Sequence, residues 1–227
     1  EETQSHRWQQ AAKLPEADFE RLIAERKAAN EELTSAFMLR AARSIFQDGV
    51  ETPPMPTGLF DVILADPPWR YDNQIESWGP AAMHYPSMDM ESLNALQIPA
   101  ALDATLFLWA TNPFLREALA LAETWGFAYK TNLVWVKRDL QRPGSGFYVR
   151  GRHELLLLCT RGSHVPDQTG VSPIGSVIEA SVTEHSRKPE EVYTVIEKMY
   201  PDARRVELFM RGAAHAGWTA WGNEYQD

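Results

Sequence analysis

Phe60-Asp61-Val62-Ile63-Leu64-Ala65-Asp66-Pro67-Pro68-Trp69 is the stretch that decides how the chain folds. Its first six residues form an apolar run that reads as a buried strand. An acid follows at the strand's C-terminal end, then two prolines and an aromatic. An open α/β sheet places its ligand chemistry at that end of its strands. The prolines fix φ near about −65° and carry no backbone N–H, so the turn is stiff and its carbonyls face outward. The acid accepts hydrogen bonds and the indole offers a flat stacking surface. Together they suit a planar ring bearing an amine, such as a nucleobase.

Outward from this stretch, strand-like runs recur at 105–110, 132–137, 154–160, 176–180 and 205–209. Helical periodicity separates them at 90–96, 113–125 and 189–200. That alternation predicts a mostly parallel, doubly wound α/β sheet. Upstream, the pattern from Leu14 to about Phe46 is helical, with Phe19, Leu22, Ile23 and Arg26 on one stripe. Gly49 and the proline-rich segment 53–58 break it. The expected organisation is an N-terminal helical arm over 1–50 and a catalytic domain over 51–227. The arm packs on the domain, binds a partner or touches nucleic acid; the sequence leaves the choice open.

The chain has 227 residues, 44% of them hydrophobic and 23% charged, which is ordinary for a globular protein. A net charge of −9 argues against a general polyanion binder, because nucleic-acid affinity rests largely on neutralised phosphates. A nucleic-acid substrate then needs a local basic patch, a second subunit or transient binding. The single cysteine, Cys159, excludes an internal disulfide and a cysteine-cluster metal site. It follows four leucines and reads as core rather than nucleophile. The six histidines show no ligand spacing, so no metal is expected. With no leader and no apolar stretch of membrane-spanning length, the expectation is a cytoplasmic, nucleoid-associated enzyme. No GxGxxG fingerprint is present, which speaks against a nicotinamide dehydrogenase.

The tetrapeptide Asp66-Pro67-Pro68-Trp69, in the context ADPPW, resembles the catalytic signature of amino-methyltransferases acting on nucleobases. It is most similar to the family of the catalytic subunit of the eukaryotic messenger-RNA N6-adenosine methyltransferase, which includes bacterial and phage adenine-N6 DNA methyltransferases. The resemblance runs from about Phe60 to Glu224. It implies a Rossmann-like, S-adenosylmethionine-dependent fold with permuted motif order, the catalytic strand early and the cofactor strand last. It also implies that Asp66 and the Pro67 carbonyl accept the two hydrogens of the target amine, on the rigid Pro67-Pro68 turn, while Trp69 stacks on the base.

Further matches carry further implied roles. Tyr71 and Tyr85 fall in a segment, 71–88, that resembles a mobile substrate lid; the alternative for Tyr85 is a buried tyrosine under a surface loop. Lys137 resembles a lysine on the substrate side, with a solvated strand-end lysine as the alternative. The loop that follows interleaves Arg138, Arg142, Arg150 and Arg152 with Phe147 and Tyr148 among glycines. Such a loop grips a nucleic-acid backbone or is simply solvated. Ser186-Arg187-Lys188-Pro189 matches a Ser-x-Lys-Pro whose lysine contacts the cofactor, here through its methionine carboxylate. Read without the family, the same residues start a helix. Glu207, Phe209 and Arg211 match the final core strand, where Glu207 and Arg211 take polar positions around the ribose. Asn223 and Glu224 match adenosine contacts, and Asp48 stands at the spacing of an acidic cofactor residue. Between Arg211 and Trp218 the chain departs from the eukaryotic pattern, with Ala213, Ala214 and His215 where a His-Asn pair is expected.

These residues imply an adenine-N6 methyltransferase using S-adenosylmethionine, with DNA favoured over RNA as substrate and a homodimer or heterodimer as a possible assembly. The alternative of another class is a non-catalytic scaffold subunit that binds nucleic acid. The presence of Asp66, Lys188, Arg211 and Asn223 together opposes it. An Asp rather than a Ser at the first position opposes cytosine-N4 methylation.

Overall fold

The computed structural model describes residues 15–28, 32, 34, 37–38, 53–69, 88–139, 148–167, 174–182, 187–222 and 224–225. Asp48, Tyr71, Tyr85, Arg142 and Asn223 lie outside them, as does the side chain of Glu224. The chain divides into two compact units. The first holds helix α1 (Glu16–Ala28), on which Leu22 is buried and Arg26 lies over the Phe37 ring.

The second unit, from Pro53 onward, is built on a seven-stranded sheet. Its strands are β1 (Phe60–Ala65), β2 (Ala100–Ala110), β3 (Ala128–Arg138), β4 (His153–Arg161), β5 (Val177–Ser181), β6 (Arg205–Leu208) and β8 (Thr219–Trp221). A separate two-stranded pair joins β7 (Arg211–Gly212) to β9 (Glu224–Tyr225). The spatial order is β5-β3-β4-β2-β1-β6-β8. Every pairing in this sheet is parallel except the two made by β4, which runs against both β2 and β3. The late strand β6 lies directly beside the early strand β1, as the permuted motif order requires.

Period-two alternation builds the two faces of the sheet. Ile63, Ala65, Leu106, Leu108, Leu157, Val206 and Leu208 pack on one face under helices α2 (Met90–Ala95) and α3 (Leu115–Thr124). Val62, Leu64, Phe107, Trp109, Trp135, Leu156 and Leu158 pack on the other under α4 (Glu191–Met199), whose Val192, Tyr193 and Ile196 are buried. Helices on both faces make the sheet doubly wound. A sheet buried on both faces reads as continuous apolar strands, which is the pattern of β1, β2 and β4.

Three expected elements differ in extent, among them β3, which starts four residues before the predicted 132–137 run. β2 starts five residues before the predicted 105–110 run, in the partly exposed segment Ala100–Ala104. The helix predicted from 113 opens as a 3₁₀ turn, Asn112–Phe114, with Pro113 in the first turn, where a missing N–H costs nothing. The three-residue β8 has no counterpart among the predicted strands, being too short to show a period.

Candidate active site

The C-terminal ends of β1, β2, β3, β5 and β6 and the N-terminal end of β4 share one edge of the sheet, because β4 alone is reversed. The chain leaves β1 toward β2 on one side and reaches β6 on the other, so this edge contains a switch point of the strand order. Asp66 stands there, its backbone N–H directed at the Leu208 carbonyl of β6 at 3.4 Å.

The Pro67-Pro68 turn is tight. The Trp69 N–H donates to the Pro67 carbonyl at 2.8 Å, and the Met88 N–H donates to the Pro68 carbonyl at 2.9 Å. Pro67 thus keeps one carbonyl lone pair for another donor. The Trp69 indole N–H donates to the Trp109 carbonyl at 3.3 Å. One face of the Trp69 ring stacks on Phe114, with centroids 5.8 Å apart and planes 11° from parallel. A base could stack only on the other face.

Alternation carries Asp66 to the α4 side of the sheet, where Lys188 meets it. Pro189 favours extended backbone at Lys188 and ends the approach to α4, whose first turn is tied by the Val192 N–H donating to the Pro189 carbonyl at 3.1 Å. The Lys188 ammonium, 14% exposed, donates to Asp66 Oδ2 at 2.7 Å and lies 3.5 Å from Glu154 Oε2. It also sits 5.2 Å from the centre of the Trp109 ring. The other Glu154 oxygen pairs with Lys137, which leans over Trp135. Lys137 and Glu154 meet because Glu154 stands opposite Trp135 in the β3–β4 ladder, diagonal to Lys137 on the same face.

This makes a continuous row of alternating charges: Lys137, Glu154, Lys188, Asp66. Burial alone would push the Lys188 ammonium down, but the Asp66 and Glu154 carboxylates outweigh it and hold it above the ordinary lysine value. Burial alone would push Glu154 up, but Lys188 and Lys137 outweigh it and hold the carboxyl below its ordinary range. Lys188 and Glu154 thus hold each other in the charged form.

Glu207 sits next to this row on β6, opposite Leu64 of β1. Its carboxylate accepts a hydrogen bond from the Tyr193 hydroxyl at 2.9 Å. Burial pushes its pKa up to about 7, with Asp66 and Glu190 adding to the rise and Tyr193 and Lys188 opposing it. Phe209 closes β6 at φ 65°, a left-handed conformation that is costly for a bulky side chain, and packs edge-on to Trp221. Strain of this kind persists where the surrounding structure enforces it, commonly at a functional site. The chain returns past Gly222, where a Cβ would lie 2.7 Å from the Met210 backbone nitrogen and closer still to its carbonyl oxygen.

The structure thus brings Asp66, Pro67, Trp69, Lys137, Lys188 and Glu207 to one edge of one domain. Arg211 adds its charge to Lys188 at the same edge. Arg138 pairs with Glu179 of β5 on the exposed surface, and Arg150 is exposed on its loop. His215 stacks on Tyr193 and faces Glu190 and Glu197, each 3.4 Å away. Glu154 was not predicted as a site residue, although it is central to the charge row. Cys159 is buried, and burial pushes its thiol up to about 12, consistent with a core role. Among the described residues, no cluster suits a metal ion, and no helix is long and apolar enough to cross a membrane.

The donor set fits S-adenosylmethionine. A buried ammonium with three donors, two of them engaged, can take a carboxylate; a buried carboxylate can take ribose hydroxyls. Fold and edge chemistry together define an S-adenosylmethionine-dependent methyltransferase. The family model described as MT-A70 matches residues 60–224, and the chain belongs to the MT-A70 family. It is 32% identical over 195 residues to the "Type II methyltransferase M.MunI" of Mycoplasma sp, covering 77% of this chain and 82% of that protein. It is 32% identical to the "N(6)-adenosine-methyltransferase MT-A70-like" protein of Arabidopsis thaliana, covering 74% of this chain and 24% of the relative. Against the Homo sapiens "N(6)-adenosine-methyltransferase catalytic subunit METTL3" the identity is 29%, over 74% of this chain and 28% of the relative.

Proposed function

We propose that the chain methylates the N6 amine of adenine in DNA. The observation that carries this reading is the Asp66 carboxylate. It projects from a rigid turn at the strand edge, with Oδ2 held by Lys188 and with no hydrogen-bond partner for Oδ1 among the described residues. The adenine amine is a poor nucleophile because its lone pair is delocalised into the ring. Asp66 Oδ1 and the second lone pair of the Pro67 carbonyl accept its two hydrogens, draw electron density toward nitrogen and aim the lone pair. S-adenosylmethionine supplies the electrophilic methyl and a neutral thioether leaving group, and the methylated amine sheds one of its two protons through Asp66 Oδ1 to solvent. Orientation of this kind contributes several kcal/mol without a covalent enzyme intermediate.

In this reading Lys188 receives the donor's methionine carboxylate and Glu207 its ribose, with Phe209 and Arg211 beside them. Asn223 and Glu224 are assigned to the adenosine moiety by their match to the family. Trp69 stacks on the flipped base with its free face, and the exposed Arg150 takes a phosphate. Lys137 acts from the charge row rather than as a free cation, since Glu154 occupies it. Flipping the base costs a few kcal/mol.

DNA is preferred because the chain spans most of the type II methyltransferase but only about a quarter of the plant and human adenosine methyltransferases. The adenosine relatives support RNA as the second reading. The test offers methyl-labelled S-adenosylmethionine with duplex DNA, single-stranded DNA or RNA. Label at adenine N6 in DNA is the expected result. Label in RNA alone selects the second reading, no label with donor still bound points to a missing partner subunit, and no label without donor binding points to a scaffold subunit.

A further inference from the structure

Glu207 is the only fully buried charged side chain among the described residues, at 8% exposure. A carboxylate in that position needs a donor to hold it ionised and aimed. Tyr193 supplies one from α4, hydroxyl to Oε2 at 2.9 Å. The phenol is itself clamped. The His215 ring stacks on it with centroids 4.2 Å apart and planes 9° from parallel. Trp218 meets it edge-on at 5.4 Å and 89°, and the Trp218 indole N–H donates to Glu197 at 2.9 Å. Two rings, one of them an anchored indole, are more than a tyrosine needs merely to fill space. They restrict its hydroxyl to one direction.

We propose that Tyr193 is a positioning residue for the methyl donor, holding Glu207 in the orientation and charge state that accept the ribose hydroxyls, with His215 and Trp218 fixing the phenol. The inference rests on the reading that Glu207 receives the ribose. The region where the family's His-Asn pair is absent then acts indirectly: His215 serves the ribose through Tyr193 and Glu207.

The charge state depends on everything that faces Glu207. Asp66 and Glu190 disfavour its ionised form, Lys188 and the Tyr193 hydroxyl favour it, and burial opposes it most. Arg187 and Glu190 act in turn on Tyr193. Removing the hydroxyl shifts the Glu207 midpoint upward, so a larger share is protonated at neutral pH. A protonated carboxyl accepts fewer hydrogen bonds from a diol.

The experiment measures the Kd for S-adenosylhomocysteine by calorimetry, from about pH 6 to about pH 9, in the wild type and three variants. Wild-type affinity should improve as pH rises through the Glu207 midpoint. Tyr193→Phe keeps the ring. It should bind about tenfold more weakly near neutral pH and recover toward the wild type at the alkaline end. Glu207→Gln should bind weakly at every pH. His215→Ala removes the stacked ring and should fall between the wild type and Tyr193→Phe near neutral pH. A Tyr193→Phe curve that superimposes on the wild type, or lies below it by the same factor at every pH, overturns the proposal while the ribose reading stands. So does a His215→Ala profile that superimposes on the wild type. Wild-type affinity in Glu207→Gln overturns the ribose reading and the proposal with it.

Discussion

At Lys188 one ammonium faces two carboxylates, Asp66 and Glu154, in a largely buried setting. Truncating one partner of such a group leaves like charges adjacent and poorly solvated. Lys188→Met should therefore lower stability by about 3 kcal/mol in urea unfolding, and weaken donor binding as well. Glu207 works in the opposite sense. Its ordinary pKa of 4.5 rises to about 7 in the folded chain, so between these values the unfolded chain has released a proton that the folded chain keeps. Its contribution to stability falls as pH rises through that window and stays at its lowest above it. Glu207→Gln should thus melt higher than the wild type above about pH 7, with the difference vanishing below about pH 4.5, as a pH series of thermal melts would show. Glu154 and Asp61, both held below their ordinary values, contribute stability that is lost as pH falls into the acid range. A site whose removal stabilises the free protein is one kept for binding.

At the scale of elements, the direction of β4 decides the chemistry. The run Glu154-Leu155-Leu156-Leu157-Leu158 was legible as a buried strand, but nothing in it tells parallel from antiparallel. A parallel β4 would carry Glu154 to the opposite edge of the sheet. The reversed strand brings it to Lys137 and Lys188, which is why the central acid of the charge row was missed while Asp66 was found. Asp66 and Lys188 were legible because rigid prolines mark both: one closes a strand, the other opens a helix. The pairing of Tyr193 with Glu207 was not legible, because it depends on which turn of α4 faces β6. The return past Gly222 is held by a close backbone approach rather than by unusual dihedrals. Gly222→Ala should destabilise by about 2 kcal/mol, since the new Cβ meets Met210 backbone that cannot swing aside. Gly151→Ala, with nothing within 4 Å of its Cβ, should change stability by less than about 0.5 kcal/mol.

For the molecule as a whole, a net charge of −9 must be reconciled with a polyanionic substrate. Few phosphates can be neutralised by so acidic a chain, so binding should be weak and its salt dependence shallow. The loop after β3 offers Arg150, exposed beside the fully exposed Tyr148. Arg150→Ala should weaken DNA binding alike on all sequences and lower the slope of log affinity against log salt by about one, read from anisotropy titrations. In the proposed reading Asp66 accepts the hydrogens of an adenine amine. Its most direct test is mass spectrometry of nucleosides from duplex DNA incubated with S-adenosylmethionine and either the wild type or Asp66→Asn, a change that keeps shape and removes charge. The account predicts N6-methyladenine from the wild type and a loss of about a hundredfold or more in the variant, with donor binding retained. Methylation by Asp66→Asn at a rate close to wild type would contradict it.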